Sequence, residues 1–266
     1  MNKITLLTFA FVFFLVGCSH IPTLKERKQT ITSLINNSSY TTKTFQSNDF
    51  NIFGIISTQN SCENKTIHIY IEGDGLAWIT RSRVSDDPTP TNPLGLKLML
   101  KDPNTCKIYL ARPCQYIDSN KCEKKYWSSA RFHKKVIDSY NEVLNTIKTL
   151  YQNDTFELVG YSGGGAVATL LSAQRDDISR LVTIAGNLDT EKWTKIHNIS
   201  PLYDSLNPAD FTKELEKIPQ LHLIGGKDTI IPFSIFNSYK SKFQNNENIH
   251  YKIYDDYTHS KGWIEE

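Results

Sequence analysis

The sequence predicts an α/β fold in which a mostly parallel sheet is covered by helices on both faces. Short apolar segments alternate with helical stretches along most of the chain, which is typical of strand–helix–strand units. The apolar segments are nearly continuous, as expected for strands that are buried on both sides. The chain has 266 residues, of which 39% are hydrophobic, and this is enough for one substantial core.

The N-terminal residues indicate export. Lys3 gives a basic start, and the apolar stretch over 4–16 is shorter than the roughly 20 residues that a membrane-spanning helix needs. The stretch ends in the letters LVGC, which resemble the bacterial lipobox, whose cysteine is lipidated. Ser19 stands where an aspartate often retains such lipoproteins at the inner membrane. We expect a signal peptide over 1–17, lipidation of Cys18, and a location at the outer membrane facing the periplasm. An ordinary signal peptide with an incidental cysteine is the alternative.

The rest of the sequence predicts a tether and then a series of strands and helices. Residues 18–39 are polar and predict a tether with a helical turn or two, followed by one folded domain over 40–266. Two alternating segments on either side of 47–49 predict an N-terminal antiparallel hairpin. A long insertion over 187–215 predicts a small cap. The predicted parallel strands are 66–72, 106–112, 155–161, 179–185, 220–226 and 249–256, and the predicted helices are 94–101, 129–151, 164–174 and 232–243.

A glycine-rich segment carries the first chemical signal. The letters GYSGGG, residues 160–165, place Ser162 directly after a predicted strand and before a predicted helix. Three successive glycines indicate a backbone that needs unusual torsions or close approach. The pattern matches the G-x-S-x-G nucleophile elbow, whereas the GK[ST] ending of a phosphate-binding P-loop is absent. We interpret Ser162 as a nucleophile on a tight turn.

Two further residues complete a catalytic constellation. A serine hydroxyl needs a general base, and the base needs an orienting partner. Asp228 in GGKDTIIP follows one predicted strand, and His259 in YTHSKGW follows the last. Sites of open α/β sheets lie at the carboxyl ends of the strands, so the fold would bring both side chains beside Ser162.

From about residue 51 to the C-terminus, the chain resembles the α/β-hydrolase superfamily, through the motifs around Ser162, Asp228 and His259. The resemblance implies a compact serine hydrolase without a large helical lid. It implies that Ser162 attacks, that His259 transfers the proton and that Asp228 orients the imidazole. It also implies an oxyanion hole formed by the backbone N–H groups of Gly163 and Asp74.

The predicted oxyanion loop departs from the family at one position. Residues 72–75 have the letters EGDG where the family often has H-G-x-G, so Glu72 replaces the histidine. A different side chain leaves the backbone donor of Asp74 in place. We expect the carboxylates of Glu72 and Asp74 to fix the turn through local hydrogen bonds.

Other residues compete for the same roles. Asp189 also follows a predicted strand, at a place from which some hydrolases recruit their acid, and Asp255 and Asp256 lie close to His259 in sequence. Asp228 is preferred because its strand, glycine and proline context fits better. The other histidines that we considered as the base are His197, His222 and His250.

The cysteines predict two structural disulfides. With Cys18 set aside, Cys62, Cys106, Cys114 and Cys122 form an even set in an oxidising compartment. Cys62 and Cys106 each precede a predicted strand, and the other two enclose a short polar loop, although three pairings are possible. No C-x-x-C motif or clustered histidine supports a zinc site, so we expect no metal.

Composition narrows the function without fixing the substrate. A net charge of +2 with no basic run argues against a nucleic-acid partner. The leading prediction is a cell-envelope hydrolase of small-molecule carboxylic esters that acts through an acyl-enzyme. We expect it to need no cofactor and to be attached to the membrane by its lipid anchor. A thioesterase, peptidase or acyltransferase with the same triad, and a non-catalytic lipoprotein that uses the fold for binding, are the alternatives. Trp193 and Tyr203 are candidates for lining the pocket, and Trp78, Arg81 and Arg83 are expected near its mouth.

Overall fold

A computed structural model of the protein describes residues 20–36, 39–58, 61–117 and 119–265. The predicted signal peptide and Cys18 lie outside the described residues. Within these ranges the strands are β1 Tyr40–Phe45, β2 Ile52–Ser57, β3 Thr66–Ile71, β4 Lys107–Leu110, β5 Thr155–Tyr161, β6 Ile178–Ile184, β7 Gln220–Gly225 and β8 Ile249–Tyr254. The helices are α1 Leu24–Ile35, α2 Leu94–Lys101, α3 Lys134–Tyr151, α4 Gly163–Ser172, α5 Thr190–His197, α6 Thr212–Leu215 and α7 Phe233–Lys240.

The strands form one mixed sheet. Their order across the sheet is β1-β2-β4-β3-β5-β6-β7-β8. β2 runs antiparallel to both of its neighbours, and every other adjacent pair is parallel. The predicted α/β fold with an N-terminal antiparallel hairpin is therefore confirmed. None of the described helices combines the length and the apolar character needed to cross a membrane.

Helices cover both faces of the sheet. Side chains of a strand point alternately to opposite faces, and β3 shows the result. Ile67, Ile69 and Ile71 are fully buried in a core that includes side chains of α3 and α4. Tyr70, which lies between them, belongs to a second core with side chains of α1 and α2.

Two helices, α1 and α3, differ in extent from the predictions. α3 begins at Lys134 rather than near 129, because the ring of His133 caps it by accepting a hydrogen bond from the Lys135 N–H at 3.1 Å. The expected helical turn or two in the tether is a 12-residue helix, α1, which begins with a capping box between Thr23 and Glu26. Few of its side chains are apolar, so its sequence carries little helical periodicity.

The α1 helix is docked on the domain. Ile31 is buried, and the Arg27 guanidinium pairs with Asp87 at 2.9 Å. Asp87 lies in the long segment between β3 and α2, so one part of the predicted tether is fixed to the loop that follows the predicted oxyanion turn.

Two disulfides join Cys62 to Cys106 and Cys114 to Cys122, which confirms the predicted disulfides. Cys62 precedes β3, and Cys106 directly precedes β4, its parallel neighbour in the sheet. The bridge therefore ties together the amino ends of two adjacent strands, while the second bridge closes a short loop after β4.

Candidate active site

Ser162 lies on the tight turn between β5 and α4. Its backbone has φ 53° and ψ −119°, a conformation that non-glycine residues rarely adopt. The turn is fixed by three hydrogen bonds: the Ser162 N–H donates to Ile184 O at 2.9 Å, and its carbonyl accepts from Gly165 at 3.0 Å and Asn187 at 3.1 Å. A strained backbone held in this way presents the side chain at the carboxyl edge of the sheet.

Two of the glycines make this turn possible by close approach. A Cβ on Gly164 would overlap the backbone carbonyls of Ile71 and Glu72 at the end of β3, and a Cβ on Gly163 would overlap the Asp74 carboxylate. A side chain at either position would push α4 away from the loop after β3. The turn therefore brings the serine and the predicted oxyanion loop into direct contact.

Ser162, His259 and Asp228 form a continuous hydrogen-bond chain. His259 Nε2 lies 3.0 Å from Ser162 Oγ, and His259 Nδ1 lies 2.8 Å from Asp228 Oδ2. The Asp228 side chain is fully buried, and its Oδ1 accepts the backbone N–H groups of Ile230 and Ile231, both at 2.8 Å. With Nδ1–H donating to the carboxylate, Nε2 is free to accept the serine proton.

The loop that carries His259 is held by two aromatic side chains. The Tyr161 hydroxyl and the Trp263 indole N–H both donate to the His259 carbonyl at 3.1 Å. The Tyr161 ring also lies 5.4 Å from the imidazole. Sequence reasoning missed both residues, although each lies inside a motif that it used, next to the serine in GYSGGG and at the end of YTHSKGW.

The competing acids have other partners. Asp189 caps α5 by accepting the Lys192 N–H at 3.0 Å, and it also accepts the Ser238 hydroxyl at 2.8 Å. Asp256 is exposed and pairs with Lys227 at 2.5 Å. Asp255 is exposed as well, and in the described part of the chain the carboxylate that bonds to His259 is that of Asp228.

The competing histidines also lie outside the triad. His222 is buried in β7, where its Nδ1 lies 2.7 Å from the Thr183 hydroxyl, and burial lowers its pKa to about 3. His197 bonds to the carbonyl of Ile230 at 2.8 Å. His250 is exposed on β8, the edge strand.

The predicted oxyanion donors line the same cavity as the serine. Gly163 is the first residue of α4, so its N–H has no acceptor within the helix and belongs to the positive end of the helix dipole. Asp74 lies on the facing loop, after β3. The close approach of Gly163 to the Asp74 carboxylate keeps the two residues side by side.

The expectation of a local hydrogen bond was wrong for the Asp74 side chain. Its carboxylate pairs instead with Arg112 at 2.8 Å and Arg131 at 2.6 Å, and both guanidinium groups are buried. Burial alone would raise the pKa of Asp74, but the two guanidinium groups outweigh it and hold the pKa below its ordinary value. A buried carboxylate needs such partners, and they come from segments 38 and 57 residues away.

Glu72 is buried below the loop and makes both local and distant hydrogen bonds. It accepts the N–H of Gly73 at 2.9 Å, the N–H of Gly95 in the first turn of α2 at 3.1 Å, and the hydroxyl of Tyr109 at 3.2 Å. Burial is the largest influence and raises the pKa of Glu72 to about 6. The carboxylate thus joins the oxyanion loop to the start of α2.

Glu72 is expected to make the stability of the protein depend on pH. Its pKa of about 6 in the folded state exceeds the ordinary value of 4.5, so its favourable contribution is complete below about pH 4.5 and is lost as the pH rises through about 6. A difference of this size corresponds to about 2 kcal/mol. From about pH 3 to about pH 7.5, the free energy of unfolding of the native protein should therefore fall by about 2 kcal/mol relative to Glu72→Gln. Urea unfolding of both proteins measures this, and parallel pH curves would contradict it.

A cavity of about 530 Å³ opens above the triad. Trp78 and Trp193 line it as predicted, but Tyr203 does not and is 82% exposed. Arg81 and Arg83 are exposed and do not line the cavity either; its arginine is Arg131. The apolar side of the cavity is formed by Ala77, Trp78, Leu94, Trp193, Ile230 and Ile231.

Solved structures show which fold this geometry belongs to. An esterase from Pyrococcus furiosus superposes with a TM-score of 0.60 at 14% identity, over 90% of this chain and 88% of that chain. An alpha-beta serine hydrolase homologue from Coxiella burnetii gives a TM-score of 0.56 at 13% identity, over 83% and 89%. Est1E from Butyrivibrio proteoclasticus gives 0.58 at 12% identity, over 84% and 93%. These identities show a shared fold, that of the α/β hydrolases.

Sequence comparison identifies the family within that fold. No curated protein matches the chain. The sequence model of the Dienelactone hydrolase family matches residues 112–261, a segment that is more than half of the chain and contains Ser162, Asp228 and His259. The predicted membership of the α/β-hydrolase superfamily is confirmed, and the chain belongs to the dienelactone hydrolase family.

Proposed function

We propose that this protein hydrolyses carboxylic esters of small molecules, with Ser162 as nucleophile, His259 as general base and Asp228 as its orienting acid. The observation that carries the proposal is the hydrogen-bond chain from Ser162 Oγ through His259 to the buried Asp228 carboxylate, with distances of 3.0 and 2.8 Å. Membership of a hydrolase family and structural similarity to an esterase support it.

The geometry suits acyl transfer in two steps. Ser162 Oγ attacks the ester carbonyl while its proton passes to His259 Nε2, and the imidazolium then gives this proton to the departing alcohol. The acyl group is left on Ser162. A water molecule attacks the acyl-enzyme, His259 takes a proton from it, and the carboxylic acid leaves as Ser162 Oγ recovers that proton.

The oxyanion formed in each step would be stabilised by the backbone N–H groups of Gly163 and Asp74. Donors fixed before the reaction are effective because they need no reorganisation as charge develops. The Asp74 carboxylate pairs with two guanidinium groups, Arg112 and Arg131. These ion pairs fix the loop that carries the Asp74 N–H.

Labelling with a fluorophosphonate probe tests this function. The folded protein should react at Ser162 and at no other residue, and Ser162→Ala should not be labelled. An ester, a thioester and an amide of the same acyl group, assayed side by side, then separate ester hydrolysis from thioesterase or peptidase activity. A folded protein that is neither labelled nor active on any of the three would instead support a non-catalytic binding role.

We also propose that the enzyme is exported and held at the outer membrane by a lipid on Cys18, facing the periplasm. The apolar N-terminal stretch that ends in LVGC supports this. The two disulfides are consistent with an oxidising compartment.

The anchor is expected to depend on one sulfur atom. Cys18→Ser should abolish incorporation of a labelled fatty acid and move the protein from the membrane fraction to the soluble fraction, or leave unprocessed precursor. Metabolic labelling followed by fractionation measures both effects. Continued labelling of the serine variant would show that Cys18 is not the lipidated residue.

A further inference from the structure

Asn187 lines the catalytic cavity with a buried side chain whose hydrogen-bonding capacity is unused. It is 3% exposed, and its Oδ1 has no hydrogen-bond partner among the residues that the structure describes. Seven described residues carry a buried side-chain atom of this kind, and Asn187 is the one among them that lines the cavity with Ser162 and His259. A buried polar atom without a partner lowers stability, so Asn187 Oδ1 does not stabilise the fold.

The backbone around Asn187 is fixed beside the nucleophile. Its N–H donates to the carbonyl of Ser162 at 3.1 Å. On its C-terminal side, Leu188 is buried and Asp189 caps α5. Because the main chain is held on both sides, a ligand group that binds the amide has little backbone motion to arrest, and such preorganisation favours binding.

We propose that Asn187 binds a hydroxyl group of the substrate that lies close to the scissile ester. The preferred substrates are then esters with a hydroxylated acyl or alcohol part, rather than plain hydrocarbon esters. This inference rests on the proposed ester hydrolysis and adds a specificity-determining residue to it.

The chemistry of the amide favours a hydroxyl over other groups. An asparagine side chain offers one acceptor oxygen and an NH₂ donor, and a hydroxyl both donates and accepts, so it satisfies the amide in either orientation. A carboxylate can only accept, so it satisfies the amide in one orientation alone. The one arginine that lines the cavity, Arg131 in the described part of the chain, is already paired with Asp74 at 2.6 Å.

The apolar side of the cavity suits the carbon skeleton of such an ester. Trp78, Trp193 and Ile230 provide surfaces for the carbon skeleton of a substrate, while Asn187 provides a polar contact on the side of the nucleophile. A site built to hydrogen-bond a substrate hydroxyl discriminates strongly against the analogue that lacks it, because the polar groups of the site are then left unpaired.

Two matched pairs of substrates test the proposal and locate the hydroxyl. Glycerol monobutyrate against propyl butyrate tests the alcohol side, and ethyl lactate against ethyl propionate tests the acyl side. We expect the native protein to have a kcat/KM at least about tenfold higher for the hydroxylated ester in one pair. Asn187→Leu should bring that ratio to about one, chiefly by slowing the hydroxylated ester.

Asn92→Leu is the matched control. Asn92 lines the same cavity, but it is exposed and its Oδ1 accepts a hydrogen bond from Lys97 at 2.7 Å. Its variant should keep the native ratio. Thermal melting provides a second readout: Asn187→Leu should melt at the native temperature or above it, because it removes a buried polar group without a partner. Asn187→Ala gives the same kinetic test if leucine disturbs the fold.

The outcomes separate the two proposals. If the native protein hydrolyses both members of each pair equally well, or if Asn187→Leu keeps the native ratio, the role of Asn187 is wrong while Ser162-dependent ester hydrolysis stands. If a folded native protein hydrolyses none of the four esters and resists the fluorophosphonate, both proposals fail together.

Discussion

Ser162→Ala should lower the turnover of an activated ester by about six orders of magnitude, because removal of the nucleophile costs about as much as removal of a whole triad. The variant keeps the Cβ atom, and therefore the same backbone demands, at φ 53°. It loses the Oγ that lies 3.0 Å from His259 Nε2. Turnover of p-nitrophenyl butyrate at neutral pH measures the effect, and circular dichroism checks the fold.

Ser260→Ala is the control for this experiment. Ser260 lines the same cavity and directly follows His259, but it takes no part in the hydrogen-bond chain. Its variant should retain near-native turnover. If Ser162→Ala also retains near-native turnover, Ser162 is not the nucleophile.

Asp228→Asn should lower turnover by about four orders of magnitude, as the corresponding change does in a serine protease triad. The amide can still accept the N–H groups of Ile230 and Ile231 through its oxygen, so the loop should stay in place. Its NH₂ would then face His259 Nδ1 as a donor. This favours the tautomer that carries its proton on Nε2, where the base must accept one.

Asp189→Asn is the matched comparison, and it should leave turnover close to native. Asparagine caps helices about as well as aspartate, so α5 should persist, and the variant loses chiefly an ion pair with Lys242 at 3.5 Å. The same assay measures both variants. A severe loss in Asp189→Asn together with near-native turnover in Asp228→Asn would reverse the assignment of the acid.

Local sequence was enough to predict most of the fold and the triad. The strands are continuous apolar runs whose alternation with helices defines a mostly parallel sheet, and this topology sends the carboxyl ends of the parallel strands to one edge. Ser162 follows β5, Asp228 follows β7 and His259 follows β8. These strands are parallel and end at the same edge of the sheet, so the sequence predicts that the three residues lie close together. The prediction of these three neighbours therefore depends mainly on geometry that all members of the fold class share.

The remaining features depend on contacts between distant segments. Asp74 meets Arg112 and Arg131 across 38 and 57 residues of chain, and no local pattern marks two arginines as partners of one carboxylate. Asn187 lies in no motif, and only the folded structure shows that its Oδ1 is buried without a hydrogen-bond partner among the described residues. Tyr203 was expected to line the pocket because aromatic residues often do, yet its segment faces solvent.

If Cys18 carries a lipid, the docked α1 helix also limits how the domain can move on the membrane. Residues 19–23 are then the linker between the anchor and the first turn of α1, and the six steps from Cys18 to Leu24 span at most about 22 Å. A chain of this length folds to a radius of gyration of about 18 Å, so the linker is shorter than the domain is wide. The domain would then keep its α1 side toward the bilayer and could not rotate freely. Its substrates would be ester groups within a short distance of the membrane surface.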